Sequence, residues 1–386
     1  IGVIGAGYVG LVTAAGLAAS GHHVRVGEID EAKVAMLNGG GVPFHEAGLD
    51  RIVGENVDNG RLTFHTSNAE AVEGAEVVML ALPTPPAADG SADLTLLSGA
   101  LREIAPQLAE GAVVVTKSTV PVGSVARFQA VLDELGAPAT VVSNPEFLRE
   151  GSAVSDFFHP DRIVIGSDDQ RATETLIEMY RSLQAPILVT DPASSEMIKY
   201  ASNAYLATRI TFANALANVC ESVGADAGTV LEGMGYDRRI GFHFLSPGPG
   251  YGGSCFPKDT RALVAIAEDA GYDFSLLKGV IEVNELQLTR TVDKVMAAIA
   301  GLDEPHVALW GLAFKAGTDD LRESPALKIA VALLERDVTV TAFDPAVNTT
   351  GVERLVLAPD ALAAAKDADA LVIATEWPEF ASADLR

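Results

Sequence analysis

The sequence predicts an α/β protein in which two α/β regions flank a long helix and a helical stretch, and three observations carry that expectation. An apolar strand, a glycine-rich turn, an apolar helix and a second strand succeed one another at the start of the chain. Residues 192–223 contain no glycine and no internal proline, so they read as one unusually long helix. From residue 307 an order of strand, loop, helix and strand begins again. At 386 residues the chain is long enough for two or three domains, and with 48% hydrophobic residues it can bury large cores. The expected regions are 1–190, 191–300 and 301–386.

The first element is a buried strand over residues 1–4. Gly5-Ala6-Gly7-Tyr8-Val9-Gly10 follows, then a helix to about residue 20 and a strand over 24–28 that ends in Glu28. This is a G-x-G-x-x-G turn in the strand–turn–helix–strand frame that gives the motif its meaning, with an acid about 20 residues on. Gly5 makes the tight turn, Gly7 admits a pyrophosphate, and Gly10 lets the helix pack on the strand. The helix N-terminus, with Tyr8 and Val9 in its first turn, faces the phosphates. The region is therefore expected to be a Rossmann-type dinucleotide fold. Glu28 would accept from the adenosine ribose hydroxyls and would repel a 2′-phosphate, which favours NAD. Lys33 is open to two readings, beside that ribose or in solvent.

Further strands are expected over 77–81, 113–117 and 140–143, with two more over 162–166 and 187–190. In an open parallel sheet, ligands bind beyond the carboxyl ends of the strands. The residues just after these strands, Thr84, Thr119 and Glu146, are thus candidates for one cleft. Glu146 and Glu150 share a face if 144–150 is helical. The competing reading is a solvated acidic turn paired with Arg149.

On the long helix the apolar residues Met197, Ile198, Ala201, Leu206, Ile210, Phe212, Leu216 and Val219 spread over more than one face, which implies heavy burial. Lys199 and Asn203 are one turn apart and need partners if buried, either acids or an oxyanion. Cys220 reads as core. Beyond a short helix, 238–245 is locally basic and invites a phosphate or carboxylate. It leads into Gly250-Tyr251-Gly252-Gly253-Ser254-Cys255-Phe256-Pro257-Lys258-Asp259, with a helix expected over 260–269. A thiol at a loop-to-helix entry beside Lys258 is placed for thiolate chemistry. The alternative is a buried, inert cysteine. Two helices then run to about residue 300. In the last region, strands are expected over 307–311, 338–343 and 370–374, with a helix over 325–336. Lys315 and Arg322 suit an anionic ligand, or else pair with Asp319, Asp320 and Glu323.

Against 27 Lys and Arg stand 52 Asp and Glu, a net charge of −25, which argues against nucleic acid and anionic membranes as partners. Two distant cysteines give no disulfide framework and suit the cytoplasm. No signal peptide or bilayer-spanning run is present, and no histidine cluster has metal-ligand spacing, so no metal is expected. The chain opens on a strand and stops at Arg386 soon after Trp377-Pro378-Glu379-Phe380, so a trimmed start and a missing final segment are expected.

A dinucleotide fold with a candidate thiolate suggests that a primary alcohol passes through an aldehyde to an acid in one site, using two NAD. Residues 250–259, Asn144-Pro145-Glu146-Phe147-Leu148-Arg149-Glu150, Glu196-Met197-Ile198-Lys199-Tyr200-Ala201-Ser202-Asn203, Phe314-Lys315 through Arg322-Glu323-Ser324 and the glycine turn together resemble the UDP-glucose/GDP-mannose dehydrogenase family over nearly the whole chain. The resemblance implies that Cys255 is the nucleophile and that Lys199 and Asn203 hold oxyanions. It implies that Asp259 and Thr119 handle water and protons, and that Glu146 is the base for hydrolysis. Glu150, Thr84, Thr119 and Arg322 fall on the cofactor side. Glu146, Phe147, Leu148, Phe244, Tyr251, Gly252 and Lys315 fall on the side of a nucleotide sugar, with Arg239 reaching a neighbouring subunit and the long helix forming a homodimer core. The C-terminal region would then be a Rossmann-like nucleotide-sugar domain. Arg239-Ile240-Gly241 ahead of Phe244 and the Cys-Phe-Pro-Lys-Asp ending point to UDP-glucose ahead of GDP-mannose. Glu28 departs from the family's usual aspartate. Two rival classes remain open: a two-electron hydroxy-acid dehydrogenase with a structural Cys255, and a silent NAD-binding scaffold.

Overall fold

The structure, a computed structural model, describes residues 1–87 and 89–384. Arg386, where the last expected region ends, lies outside the described residues. The chain forms two compact units, Ile1–Ala201 and Ser202–Arg386.

The first unit is built on eight strands: β1 (Gly2–Ile4), β2 (Val24–Gly27), β3 (Leu62–His65), β4 (Val77–Leu80), β5 (Ala112–Thr116), β6 (Ala139–Ser143), β7 (Ile163–Gly166) and β8 (Ile187–Thr190). Their order is β3-β2-β1-β4-β5-β6-β7-β8. Val3 pairs with Val26 on one side and Met79 on the other, so the order reverses between β1 and β4. The crevice beyond the carboxyl ends of these two strands is where such sheets bind dinucleotides. The central strands β4 and β5 are short, rich in β-branched residues and buried on both faces, as parallel strands inside a sheet must be.

The expected open parallel sheet needs one correction, because β7 runs antiparallel to β6, meeting it at Ser143 and Gly166. The chain after β6 does not cross back along the sheet. Its short helix (Ala153–Phe158) lies against the first helix (Tyr8–Ala19), where the Phe157 ring occupies the space beside Gly16; a Cβ there would lie 2.3 Å from it. The next strand therefore enters from the opposite end.

The second unit carries a parallel sheet in the order β11-β10-β9-β12, formed by β9 (His306–Trp310), β10 (Thr339–Phe343), β11 (Val356–Leu357) and β12 (Ala370–Ile373). Leu309, Val340, Ile329 and Leu333 form its dry centre. Trp310 is fully buried, donates from Nε1 to the Ala361 carbonyl at 2.8 Å and packs on Phe380. Helices Phe256–Asp269, Ser275–Ala298 and Pro325–Leu334 belong to this unit.

The long helix spans Pro192–Val223. The expectation of heavy burial for its large apolar residues is overturned: Tyr205, Phe212 and Val219, seven residues apart, are more than half exposed, and Met197 and Ala201 are exposed as well. Apart from the fully buried Tyr200, the buried positions are instead mostly small or polar, among them Ser195, Glu196, Lys199, Asn203, Ala204, Ala207 and Asn214. Among the described residues no helix is long and apolar enough to cross a membrane, and no group of three or more His, Cys, Asp or Glu could hold a metal ion.

Candidate active site

The glycine turn is built by contacts that exclude side chains. Gly5 has φ +98°, and its N–H donates to the Gly27 carbonyl at 2.8 Å. A Cβ on Gly10 would sit 2.0 Å from the Gly5 carbonyl oxygen, so the helix can approach the strand only with glycine there. Gly7, the N-cap, has open space around it and gives no side-chain cap, and the first helical turn carries no acid. Uncapped N–H groups facing free volume suit a pyrophosphate. These residues fit a dinucleotide.

Glu28 closes the turn by accepting from the Ala6 N–H at 3.3 Å, the Asp30 N–H at 3.2 Å and the Lys33 ammonium at 2.8 Å. Burial pulls its pKa up, but the Lys33 and backbone donors outweigh that and hold the carboxyl below its usual range. Of the two readings of Lys33, the structure thus places it on Glu28. Tyr8 packs against Phe44, and its hydroxyl donates to Glu46, a buried residue that sequence reasoning missed. The Gly151 N–H, directly after Glu150, donates to Glu46 at 2.7 Å and to the Tyr8 oxygen at 3.0 Å; the Val154 N–H donates to Glu46 at 3.4 Å. Burial, then the hydrogen bond to the Glu46 carboxylate, push the pKa of the Tyr8 hydroxyl far above its ordinary value, so it stays a donor. Glu46 therefore ties the glycine turn to the segment bearing Glu150. Val9 packs at the edge of the same core.

Thr84 is buried and donates to the Thr119 carbonyl at 3.0 Å, joining the ends of β4 and β5. Residues 144–150 are not helical, so Glu146 and Glu150 do not share a helix face. Pro145 disfavours helical geometry at Asn144, whose amide instead donates to the Val164 carbonyl at 2.7 Å. Glu146 is buried, accepts from the Leu148 N–H at 2.6 Å and forms a 2.8 Å ion pair with Lys199, the two side chains being 5% and 4% exposed. Phe147 lies 3.5 Å from the Arg162 guanidinium and 5.4 Å from the Lys199 ammonium. Leu148 packs on the core. Of the two kinds of partner foreseen for Lys199, the structure supplies the acid. The start of the long helix is anchored by Glu196, which accepts from the N–H groups of Gly123 at 2.6 Å and Val125 at 2.8 Å; burial pushes its carboxyl above the usual range.

Sequence reasoning also passed over Lys117, which follows β5. Its ammonium is buried and donates to Asn144 Oδ1 at 3.0 Å and to the Tyr180 hydroxyl at 3.4 Å. Burial brings its pKa down to about 8, against the attraction of Glu146 and with help from the repulsion of Lys199. Only the fold puts it there, since a lysine at a strand end usually reaches solvent.

In the second unit, Gly252 and Gly253 let the cysteine loop press on residues 314–324. A Cβ on Gly252 would lie 2.2 Å from the Glu323 carbonyl oxygen, and the Gly253 N–H donates to the Arg322 carbonyl at 3.0 Å. Tyr251 is bracketed by Asn284, which accepts from its N–H at 2.8 Å and donates to its carbonyl at 3.2 Å. Phe244, held at φ +60°, and Tyr251 both pack near Phe256. Cys255 is the N-cap of the helix that begins at Phe256, a full turn earlier than expected. Pro257 does not delay it, because the first turn needs no N–H from that position. The thiol is half-buried, with Sγ 3.5 Å from the Ser254 hydroxyl. One turn on, the fully buried Asp259 accepts from the Asn203 amide at 2.6 Å and from the Lys258 ammonium at 2.5 Å. Arg239 is largely exposed and pairs with Asp237, Arg322 pairs with Asp320, and Lys315 lies 5.7 Å from the Phe314 ring.

The chain is similar to known proteins along its length. Three domain models of the UDP-glucose/GDP-mannose dehydrogenase family match the chain in order: the NAD binding domain at 1–184, the central domain at 193–286 and the UDP binding domain at 308–386. A UDP-glucose 6-dehydrogenase of Rhizobium meliloti is 47% identical, covering 100% of this chain and 91% of that protein. The UDP-glucose 6-dehydrogenase YwqF of Bacillus subtilis is 46% identical over 98% of this chain and 88% of its own length. The solved structure of a UDP-glucose dehydrogenase from Pyrobaculum islandicum superposes with a TM-score of 0.95 at 40% identity, covering 100% of this chain and 91% of that one.

Proposed function

The chain belongs to the UDP-glucose/GDP-mannose dehydrogenase family, and we propose that it oxidises the C6 hydroxyl of UDP-glucose to a carboxylate, consuming two NAD. The observation that carries this reading is the thiol of Cys255 at a helix N-cap, reached through glycines that leave no room for side chains. A two-electron alcohol oxidation needs no such nucleophile; a four-electron one does.

NAD, when bound, supplies the hydride acceptor for each oxidation. The chain's own residues do the rest. At the aldehyde stage the Cys255 thiolate forms a C–S bond to C6, leaving an oxyanion on the former carbonyl oxygen. Lys199 and Asn203, one turn apart on the long helix, are assigned to donate to oxyanions of this kind. Once the thiohemiacetal has been oxidised to the thioester, Glu146 takes a proton from water as its oxygen attacks the acyl carbon. The C–S bond then breaks and the thiolate leaves. Asp259, held by Asn203 and Lys258, and Thr119 are assigned to proton handling around these steps. The glycine turn, Glu28 with Lys33, Thr84, Glu150 and Arg322 are assigned to the cofactor. Phe147, Leu148, Arg239, Phe244, Tyr251, Gly252 and Lys315 are assigned to the sugar nucleotide. Regions 1–190, 191–300 and 301–386 divide these tasks. The exposed stripe of Tyr205, Phe212 and Val219 supports a homodimer built on the long helix. The two free cysteines support a cytoplasmic enzyme.

The test is stoichiometric. Equal amounts of UDP-glucose and GDP-mannose are taken separately to completion with excess NAD. Two NADH and one UDP-glucuronate per UDP-glucose are expected; one NADH, or preferential use of GDP-mannose, refutes the assignment.

A further inference from the structure

Lys117 is a buried ammonium that none of the steps above uses. Its hydrogen-bond partners, Asn144 and Tyr180, are uncharged, and among the described residues no carboxylate lies within ion-pair distance of it. Tyr180 also donates to Asn144 Oδ1, at 2.7 Å, so two donors fix the residue that leads into Pro145 and Glu146. A buried cation without a contacting anion is costly to keep.

The charges around it suggest what it is kept for. The groups facing it are Asn144 and Glu146 after β6, Tyr180 at the end of the helix Gln170–Tyr180, and Lys199 on the long helix. Arg162, beside Asp161 and stacked on Phe147, adds a further positive charge near Glu146. The Lys199–Glu146 pair is by itself neutral and closed to water. One ammonium cannot neutralise both Glu146 and a newly formed oxyanion in a low-dielectric site.

We propose that Lys117 is a positioning residue for the oxidation: it fixes the Asn144–Glu146 segment and supplies the second positive charge that leaves Lys199 available to an oxyanion. The inference rests on the reading of Lys199 as the oxyanion donor. It deepens that reading by predicting a titration that Lys199 and Glu146 alone do not require. Lys117 must be protonated for this role, and burial lowers its pKa to about 8. Its contribution is present below that pH and lost above it.

The test measures kcat and KM for UDP-glucose with saturating NAD from pH 6.5 to 9.5, for the wild type and Lys117→Met. The wild type is expected to lose kcat above about pH 8. The variant is expected to be about 10- to 100-fold slower at pH 7, with KM for UDP-glucose within twofold and no limb near pH 8. A variant as fast as wild type, or a slow one that keeps the same limb, overturns the proposal. Should Lys117→Met fail to fold, the wild-type profile still decides, since a kcat that rises or stays level through pH 9 overturns it. Failure here with two NADH per UDP-glucose leaves the oxidation standing, whereas one NADH removes the reading beneath both.

Discussion

Replacing Lys199 by methionine removes an ammonium 2.8 Å from the Glu146 carboxylate, where the two side chains are 4% and 5% exposed. Little water reaches the stranded charge, and the hydrogen bond from the Leu148 N–H remains on Glu146. Breaking one side of such a buried pair costs about 3–5 kcal/mol. For a unit of this size, about 2–4 °C of melting temperature follows each kcal/mol, so a fall of roughly 6–20 °C is expected. The assay is calorimetry of the wild type, Lys199→Met, Glu146→Gln and the double variant, each with and without NAD. The double variant, which carries no unpaired charge and keeps an oxygen for Leu148, should recover most of the loss. Turnover should fall about 100- to 1000-fold in Lys199→Met, the usual effect of losing one oxyanion donor. A single variant melting within 2 °C of wild type, or a double variant that loses the sum of the two singles, refutes the claim that the pair is buried and coupled.

Three other perturbations test the cofactor side. Glu46→Ala frees Tyr8, Gly151 and Val154; losing one hydrogen bond to a buried charge costs about 1.5–3 kcal/mol, so NADH affinity by fluorescence titration should weaken at least tenfold. Gly10→Ala puts a methyl 2.0 Å from the Gly5 carbonyl, and should yield protein that neither binds NADH nor shows the first unit's cooperative melting. Because Lys33 and backbone donors hold the Glu28 carboxyl below its usual range, its contribution is complete above the ordinary carboxylate pKa of about 4.3 and is lost only as pH falls through the lower, folded value. NADH affinity should therefore stay level down to about that pH, and in Lys33→Ala it should begin to fall at higher pH.

The cofactor turn was legible because its requirements are local. Gly5 is dictated by its φ value and Gly10 by a close approach to the Gly5 carbonyl, while Gly7 leaves open space before the helix, all within a few residues of chain, and the acid that follows sits at the end of the neighbouring strand. The long helix was equally legible, since nothing in 192–223 interrupts it. Which side of it is buried was not: Ser195, Glu196, Lys199 and Asn203 face inward because Ser143, the Gly123 and Val125 amides, Glu146 and Asp259 receive them. Those partners lie more than 50 residues away in sequence. The reversal at β7, the Glu46 clasp and the burial of Lys117 have the same origin, in contacts no short window contains. The cysteine helix begins a turn earlier than the expected 260–269 for a local reason, since proline is welcome in a first helical turn.

The most direct measurement is of the sulfur itself. Turnover of UDP-glucose by Glu146→Gln is quenched in acid within the first seconds, and the Cys255 peptide is weighed. The account predicts that this peptide carries the acyl mass of the oxidised sugar nucleotide, released by mild base as UDP-glucuronate. Two NADH per substrate in Cys255→Ala, with no adduct on any peptide, would contradict it.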